Sequence, residues 1–279
     1  MKNKNFLSDC IHINTEDNRF QRVLTLKQNH EKRKRYGEFL VEGISSLKQA
    51  LKNGWKMRVM LFSSSAGLSD WAEHAIQQSR ANERWDLSQD LMAKLSDKED
   101  TSELMAIVKM PERDASAIPI RKDGLVVVLD RPMNPGNLGS TIRSCDAFGV
   151  HGIFVTGHAT DIYDPQTLRS SVGTLFSIPI VKLESHKNIM EWISQAADEG
   201  VKYTIVGTSA KGTNTLVEHK FRGPLVMIFG NETFGMSQSY KSICDTIIRI
   251  PISGTASSIN LSCAASIALY EISRQRHQA

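Results

Sequence analysis

No apolar run in these 279 residues approaches the roughly 20 that a membrane span needs. The basic start, from Met1 to Asn5, leads into no hydrophobic signal-peptide core. Neither export nor membrane insertion is therefore expected, and the expected location is cytoplasmic. Cysteine is scarce: the four residues Cys10, Cys145, Cys244 and Cys263 are scattered, with no CxxC pair. That argues against a disulfide framework and against a metal site; two of them fall inside apolar helical patterns and read as reduced core residues. The two standard phosphate loops, GxGxxG and GxxxxGK[ST], are both missing, so nucleotide binding through either is unsupported. No repeat and no low-complexity segment is present. Charge is also modest, at a net +4, too little by itself to imply a nucleic-acid partner.

What is present is an ordinary globular composition, 41% apolar and 23% charged, in a chain long enough for two domains. Residues 1–20 are polar and irregular. Helical patterns follow at 20–28, 45–53, 71–79 and 87–95, and strand patterns at 38–41, 58–62 and 103–108. Residues 111–123 hold two prolines, several charges and no sustained pattern, which marks a linker. The expected division is an N-terminal α/β domain over 1–112, a linker over 113–123 and a second α/β domain over 124–279. The second domain's strands include 204–206, and 125–129, 225–229 and 246–250 read as buried strands of a mostly parallel sheet. Helices are expected at 137–148 and 261–276.

Three of those strands run into small polar residues and glycine. The segments extend from Asn134 to Arg143, from Gly230 to Gly235 and from Ile250 to Asn260. In an open α/β sheet, ligands bind just beyond the carboxyl ends of the strands. Taken singly, each polar residue has a plain structural reading. Asn137, Ser258 and Asn260 suit helix N-caps, Glu232 suits an exposed turn, and Arg143 suits a surface ion pair. Together, the three turns make one composite site.

In order and spacing these turns resemble the SpoU (TrmH-type) family of SPOUT RNA 2'-O-ribose methyltransferases. The resemblance rests on Asn137, Gly139 and Arg143 with Phe148 and Gly149; on Gly230, Asn231, Glu232 and Gly235; and on Ile250, Pro251, Ser258, Ile259 and Asn260 with Tyr270 and Glu271. Segments 161–165 and 169–173 resemble the family's intermediate region. A narrower resemblance, around 161–179 and 253–260, is to the avilamycin-resistance type of 23S rRNA uridine 2'-O-methyltransferase. Two departures, Ile259 and Val172, alter no polar group.

The resemblance implies a trefoil-knotted C-terminal domain, one of the exceptions to the rule that chains do not thread. It implies S-adenosylmethionine as cofactor, held by Thr208, Gly230, Ile250 and Ile259, with Asn231 and Ile252 beside them. It assigns the reaction to Asn137, Arg143, Glu232, Ser258 and Asn260, without a metal, and it implies a homodimer. The N-terminal domain resembles the kink-turn-binding ribosomal-protein fold. In that context the basic run with Arg33, Lys34 and Arg35 becomes a candidate RNA contact rather than a solvated helix face. The substrate implied is 23S rRNA, with uridine favoured and a role in antibiotic resistance open. A tRNA methyltransferase of the same family and a non-catalytic ribosome-assembly factor are the alternatives.

Overall fold

The computed structural model describes residues 9–277; residues 1–8, with the basic start, lie outside them. The chain divides into two compact units. Unit 1 comprises the chain up to Pro111 together with Tyr163–Ser177, and unit 2 comprises Glu112–Ile162 and everything from Ile178 onward.

Unit 1 begins with β1 (Ile11–Ile13), α1 (Asn18–Gln28), α2 (His30–Tyr36), β2 (Glu38–Glu42) and α3 (Ile44–Lys52). It continues with β3 (Met57–Phe62), α4 (Asp70–Gln78), β4 (Glu83–Leu87), α5 (Gln89–Leu95) and β5 (Leu104–Lys109). The strands form one sheet in the order β1-β4-β3-β5-β2. β4 pairs in parallel with β1 and β3, while β5 runs antiparallel to β3 and β2. Side-chain caps set the helix starts: Asp17 accepts from the backbone N–H of Arg19 and Phe20, and Asn29 from that of Lys32. Gly37 ends α2 at φ 63°, a left-handed conformation in which glycine carries no Cβ penalty.

Two strands here escape the sequence pattern. β1 is three residues long, too short to show alternation, and β4 carries Glu83, Arg84 and Asp86, which dilute its apolar signal. The basic run also divides differently from the expected patch. Asn29 stops α1 and caps α2, so Arg33 points back into the break. It is 2% exposed and donates to Leu26 O at 2.9 Å and Lys27 O at 3.0 Å, with Asp164 at 3.5 Å. Those carbonyls need donors at a helix end. Arg33 is thus a structural residue and not a surface RNA contact, whereas Lys34 and Arg35 are exposed.

Unit 2 is built from β6 (Leu125–Asp130), α6 (Pro135–Ala147) and β7 (Gly152–Thr156). After α7 (Pro165–Ser171), which belongs to unit 1, it resumes with β8 (Ile180–Leu183), α8 (His186–Asp198), β9 (Thr204–Thr208) and β10 (Asn214–Thr215). It closes with β11 (Leu225–Phe229), α9 (Gln238–Ile243), β12 (Thr246–Arg249) and α10 (Leu261–His277). All seven strands are parallel, in the order β10-β12-β9-β11-β6-β7-β8. β6, β7 and β11 are buried at every position. On one face Val126, Val128, Phe154, Val226 and Ile228 pack with Ile189 and Trp192 of α8. Cys145 is buried in α6, while Cys263 in α10 is exposed, contrary to a core role for both helical cysteines.

The placement of 163–177 in unit 1 differs from the expected boundary, which kept these residues in the C-terminal domain. Tyr163 lies 4.5 Å from Phe39 between ring centroids, Trp55 lies 5.0 Å from Phe176, and the Trp55 indole donates to Phe176 O at 3.0 Å. Arg169 pairs with Asp97 at 3.0 Å. A second feature concerns the link 209–213. It leaves β9 on one side of β12 and enters β10 on the other, wrapping Ile248 and Arg249. Ser209 N–H donates to Ile248 O, and Arg249 Nη1 donates to Gly212 O. A Cβ on Gly212 would lie 2.5 Å from the carbonyl carbon of Ile248, so only glycine lets the two backbones pass.

Arg33→Ala should lower the unfolding free energy by about 3 kcal/mol, because it strands two carbonyls and Asp164. Lys34→Ala should stay within about 0.5 kcal/mol of wild type. Urea unfolding of the full chain checks both.

Candidate active site

The three glycine-bearing turns meet at the carboxyl ends of β6, β11 and β12. α6 starts where the sequence allows it to: Asn134 accepts from Asn137 N–H at 2.9 Å, and Pro135 occupies the first turn, where no N–H is needed. The Glu232 carboxylate comes from the second turn to this helix end. It accepts from the backbone N–H of Met133 at 3.1 Å and of Asn134 at 3.2 Å, and from Asn137 Nδ2 at 3.3 Å. A carboxylate there also meets the positive end of the helix dipole. Asn137 Oδ1 in turn accepts from Asn260 Nδ2 at 2.8 Å, and Asn260 Oδ1 accepts from Ser262 N–H and Oγ at 2.8 and 2.7 Å. One chain of hydrogen bonds therefore joins Glu232, Asn137 and Asn260.

Beside that chain lies a cavity of about 440 Å³. Thr208, Gly230, Asn231, Ile250, Ile252 and Ile259, expected as one group, all line it, together with Glu232 and Ser258. Not all present their side chains to it. Asn231 is 5% exposed and turns its amide inward, donating to Arg131 O at 2.7 Å and accepting from Thr233 and Phe234 N–H. Its side chain shapes the turn. The Thr208 hydroxyl likewise donates to Ile228 O at 3.1 Å. The floor is closed by Gly230, where a Cβ would lie 2.0 Å from Met236 N and 2.2 Å from Gly235 C.

The layer below is fixed by hydrogen bonds. Asp130 holds Arg131 at 2.7 and 3.0 Å and accepts from Ser237 N–H at 2.7 Å. Tyr240 donates to Thr156 Oγ1 at 2.9 Å, and burial pushes its phenol up to about 12. Burial also pushes the Cys244 thiol up to about 11, so both groups stay protonated at neutral pH.

Arg143 is not part of the cluster within one chain. Six residues after Asn137, it stands roughly 120° round α6. It is exposed and meets no hydrogen-bond or ion-pair partner among the described residues. Ser258 is likewise exposed at the cavity rim. The lining residues missed from sequence include Lys211, Lys241 and Phe234. Phe234, 74% exposed, carried a legible signal, a large apolar residue inside a polar glycine turn. The lysines carried none.

Gly230→Ala should force the turn off Met236 and cost about 3 kcal/mol, at the upper end for overpacking. Thermal unfolding against a Gly254→Ala control, where a Cβ meets nothing within 4 Å, measures it.

Comparison with known proteins places these features in a family. Residues 124–270 match the SpoU rRNA Methylase family, and residues 17–106 match the SpoU L30e-like domain. A 23S rRNA (uridine(2479)-2'-O)-methyltransferase from Streptomyces viridochromogenes is 41% identical over 95% of this chain and 92% of its own length. The 23S rRNA (guanosine(2553)-2'-O)-methyltransferase RlmP from Bacillus subtilis is 28% identical over 90% of this chain and 96% of its own. Among solved structures, the SpoU methyltransferase AviRb from Streptomyces viridochromogenes, in complex with AdoMet, superposes with a TM-score of 0.90. That match covers 94% of this chain and 99% of AviRb at 41% identity. The chain belongs to the SpoU rRNA Methylase family.

Proposed function

We propose that this chain is an S-adenosylmethionine-dependent RNA 2'-O-ribose methyltransferase that acts on a 23S rRNA nucleotide, with uridine favoured. The observation that carries the proposal is the joining of three separate turns round one cavity by Glu232, Asn137 and Asn260. The cavity suits the cofactor. Gly230 admits close backbone approach, and Ile250 and Ile259 offer apolar walls for a flat purine. The named residues that would hold it are Thr208, Gly230, Ile250 and Ile259, with Asn231 and Ile252 beside them. When bound, the cofactor supplies an electrophilic methyl group on a sulfonium.

The chain's own residues then align the ribose. Glu232 already accepts three N–H bonds, so its part is to orient Asn137 and the start of α6. Asn137 and Asn260 fix the two turns that frame the ribose hydroxyl, with Ser258 at the rim. Arg143 brings a planar fork of N–H donors, so it grips phosphate and polarises the hydroxyl by donated hydrogen bonds. A homodimer with RNA-facing residues shared between subunits lets Arg143 serve the second copy's site. Support comes from α10, where Ile267 and Tyr270 are 43% and 58% exposed and Phe148 packs edge-on to Tyr270 at 6.2 Å. The wrap of 209–213 about β12 supports the trefoil knot. No helix of the described residues is long and apolar enough to cross a membrane.

Labelled methyl transfer from S-adenosylmethionine to 23S rRNA, with the modified nucleotide mapped, tests the activity. Transfer to tRNA alone would overturn the substrate, and transfer to no RNA would overturn the enzyme. Arg143→Ala and Asn137→Ala should each lower turnover at least about 100-fold while cofactor affinity stays within a few-fold. Glu232→Gln should do likewise, since its amide must face a backbone N–H of Met133 or Asn134, donor against donor. Tyr270→Asp should convert a dimer to a monomer in sedimentation and abolish turnover.

A further inference from the structure

Outside the active site, unit 1 carries a groove of about 670 Å³ between α3 and α4. Lys48 and Lys52 line it from one side, one helical turn apart, and Trp71 and His74 from the other. Arg80 closes its end, just past α4, at φ 47°, a left-handed conformation uncommon outside glycine and asparagine. Among the described residues no aspartate or glutamate lines the groove, although Asp70 and Glu73 belong to the same helix α4.

Two observations single out this surface. First, its cations lack carboxylate partners: among the described residues, Lys48, Lys52 and Arg80 enter no ion pair. Several other basic residues of unit 1 are paired with carboxylates, Arg22 with Glu38, Lys27 with Asp97, Lys94 with Glu16 and Arg169 with Asp97. Second, the Lys48 ammonium sits 5.2 Å from the centroid of the Trp71 ring, a half-buried aromatic held at a charged surface. Unpaired cations repel one another and are stabilised by an anionic occupant. A flat aromatic among them adds a platform for a flat π-system. Cations along a groove with an interleaved aromatic are how proteins hold single-stranded nucleic acid. The volume lies within the ~300–1,000 Å³ typical of small-molecule sites.

We propose that the α3–α4 groove is a second RNA contact, which takes one unpaired nucleotide with its base on Trp71 and its flanking phosphates on Lys52 and Arg80. The proposal rests on RNA as the substrate and adds where, away from the methyl-transfer site, that RNA is gripped. A duplex would leave Trp71 unused, since its bases are already stacked and paired. The groove therefore favours a loop, bulge or flipped-out nucleotide.

The probe is a single-stranded oligouridylate, titrated into the full-length protein at several salt concentrations. Of the four tryptophans, Trp85 and Trp192 are 1% and 2% exposed and Trp55 is tied to Phe176 O, so quenching reports on Trp71. Trp71→Phe should abolish the quench and keep affinity within about threefold, whereas Trp71→Ala should weaken binding roughly tenfold. Lys52→Gln and Arg80→Gln should each reduce the slope of log affinity against log salt by about 0.7. Unchanged cofactor affinity and circular dichroism in the variants exclude misfolding. Wild-type quench and slopes in all four variants would overturn the groove while sparing the activity. Methyl transfer absent from a wild type that shows the expected quench and slopes would overturn the activity while sparing the groove. Quenching by an acidic peptide but not by the oligonucleotide would also overturn it.

Discussion

The candidate active site depends on the acceptor-only character of one carboxylate. An ionised Glu232 cannot donate, so the Asn137 amide must present Nδ2 to it. Oδ1 then necessarily faces Asn260, which must answer with its own Nδ2 and turn Oδ1 to Ser262. The polarity of the whole chain follows from a single charge, with no freedom for either asparagine to flip. Residues almost a hundred positions or more apart are thereby fixed without any apolar contact among their side chains. The same carboxylate satisfies backbone N–H groups at the start of α6, so the orientation of Asn137 and the capping of that helix are one interaction.

That arrangement works because the sheet beneath it is rigid. Strands β6 and β11 are buried at every position and pair in register over five residues, which leaves the turns little room to drift. Close approach is reserved for glycine. Gly230 abuts Met236 N, Gly207 packs against Met236 and Cys244 sulfurs, and Gly212 touches the backbone of β12.

The sequence made the C-terminal unit readable because its strands are long apolar runs and its turns combine glycine with asparagine in a set order. The unit-1 boundaries were harder for identifiable reasons. The strand Glu83–Leu87 hides behind its charges, and its value comes only from pairing with β1 and β3. Arg33 is indistinguishable from Lys34 in a basic run; its burial follows from the helix break at Asn29, a tertiary fact. Arg143 was legible as a polar residue at the right spacing, yet helix geometry turns it away from its own chain's hydrogen-bonded cluster. Lys211 and Lys241 reach the cavity only through the fold. Segments 161–165 and 169–173 were legible as a resemblance to the family's intermediate region, but nothing local says which core receives them.

The segment Tyr163–Ser177 changes what counts as a domain. The chain passes between the two units three times, at 111–112, 162–163 and 177–178. A single cleavage at any one of these crossings would leave the two units covalently joined. Nor can unit 1 be cut out as one continuous piece of gene. A fragment ending at Pro111 would lack Asp164, Tyr163 and Phe176, leaving Arg33 without its carboxylate and the rings of Phe39 and Trp55 open to water. Exchanging the N-terminal half between relatives would have to carry this short internal segment with it. The two units are thus separate as cores and inseparable as inheritance.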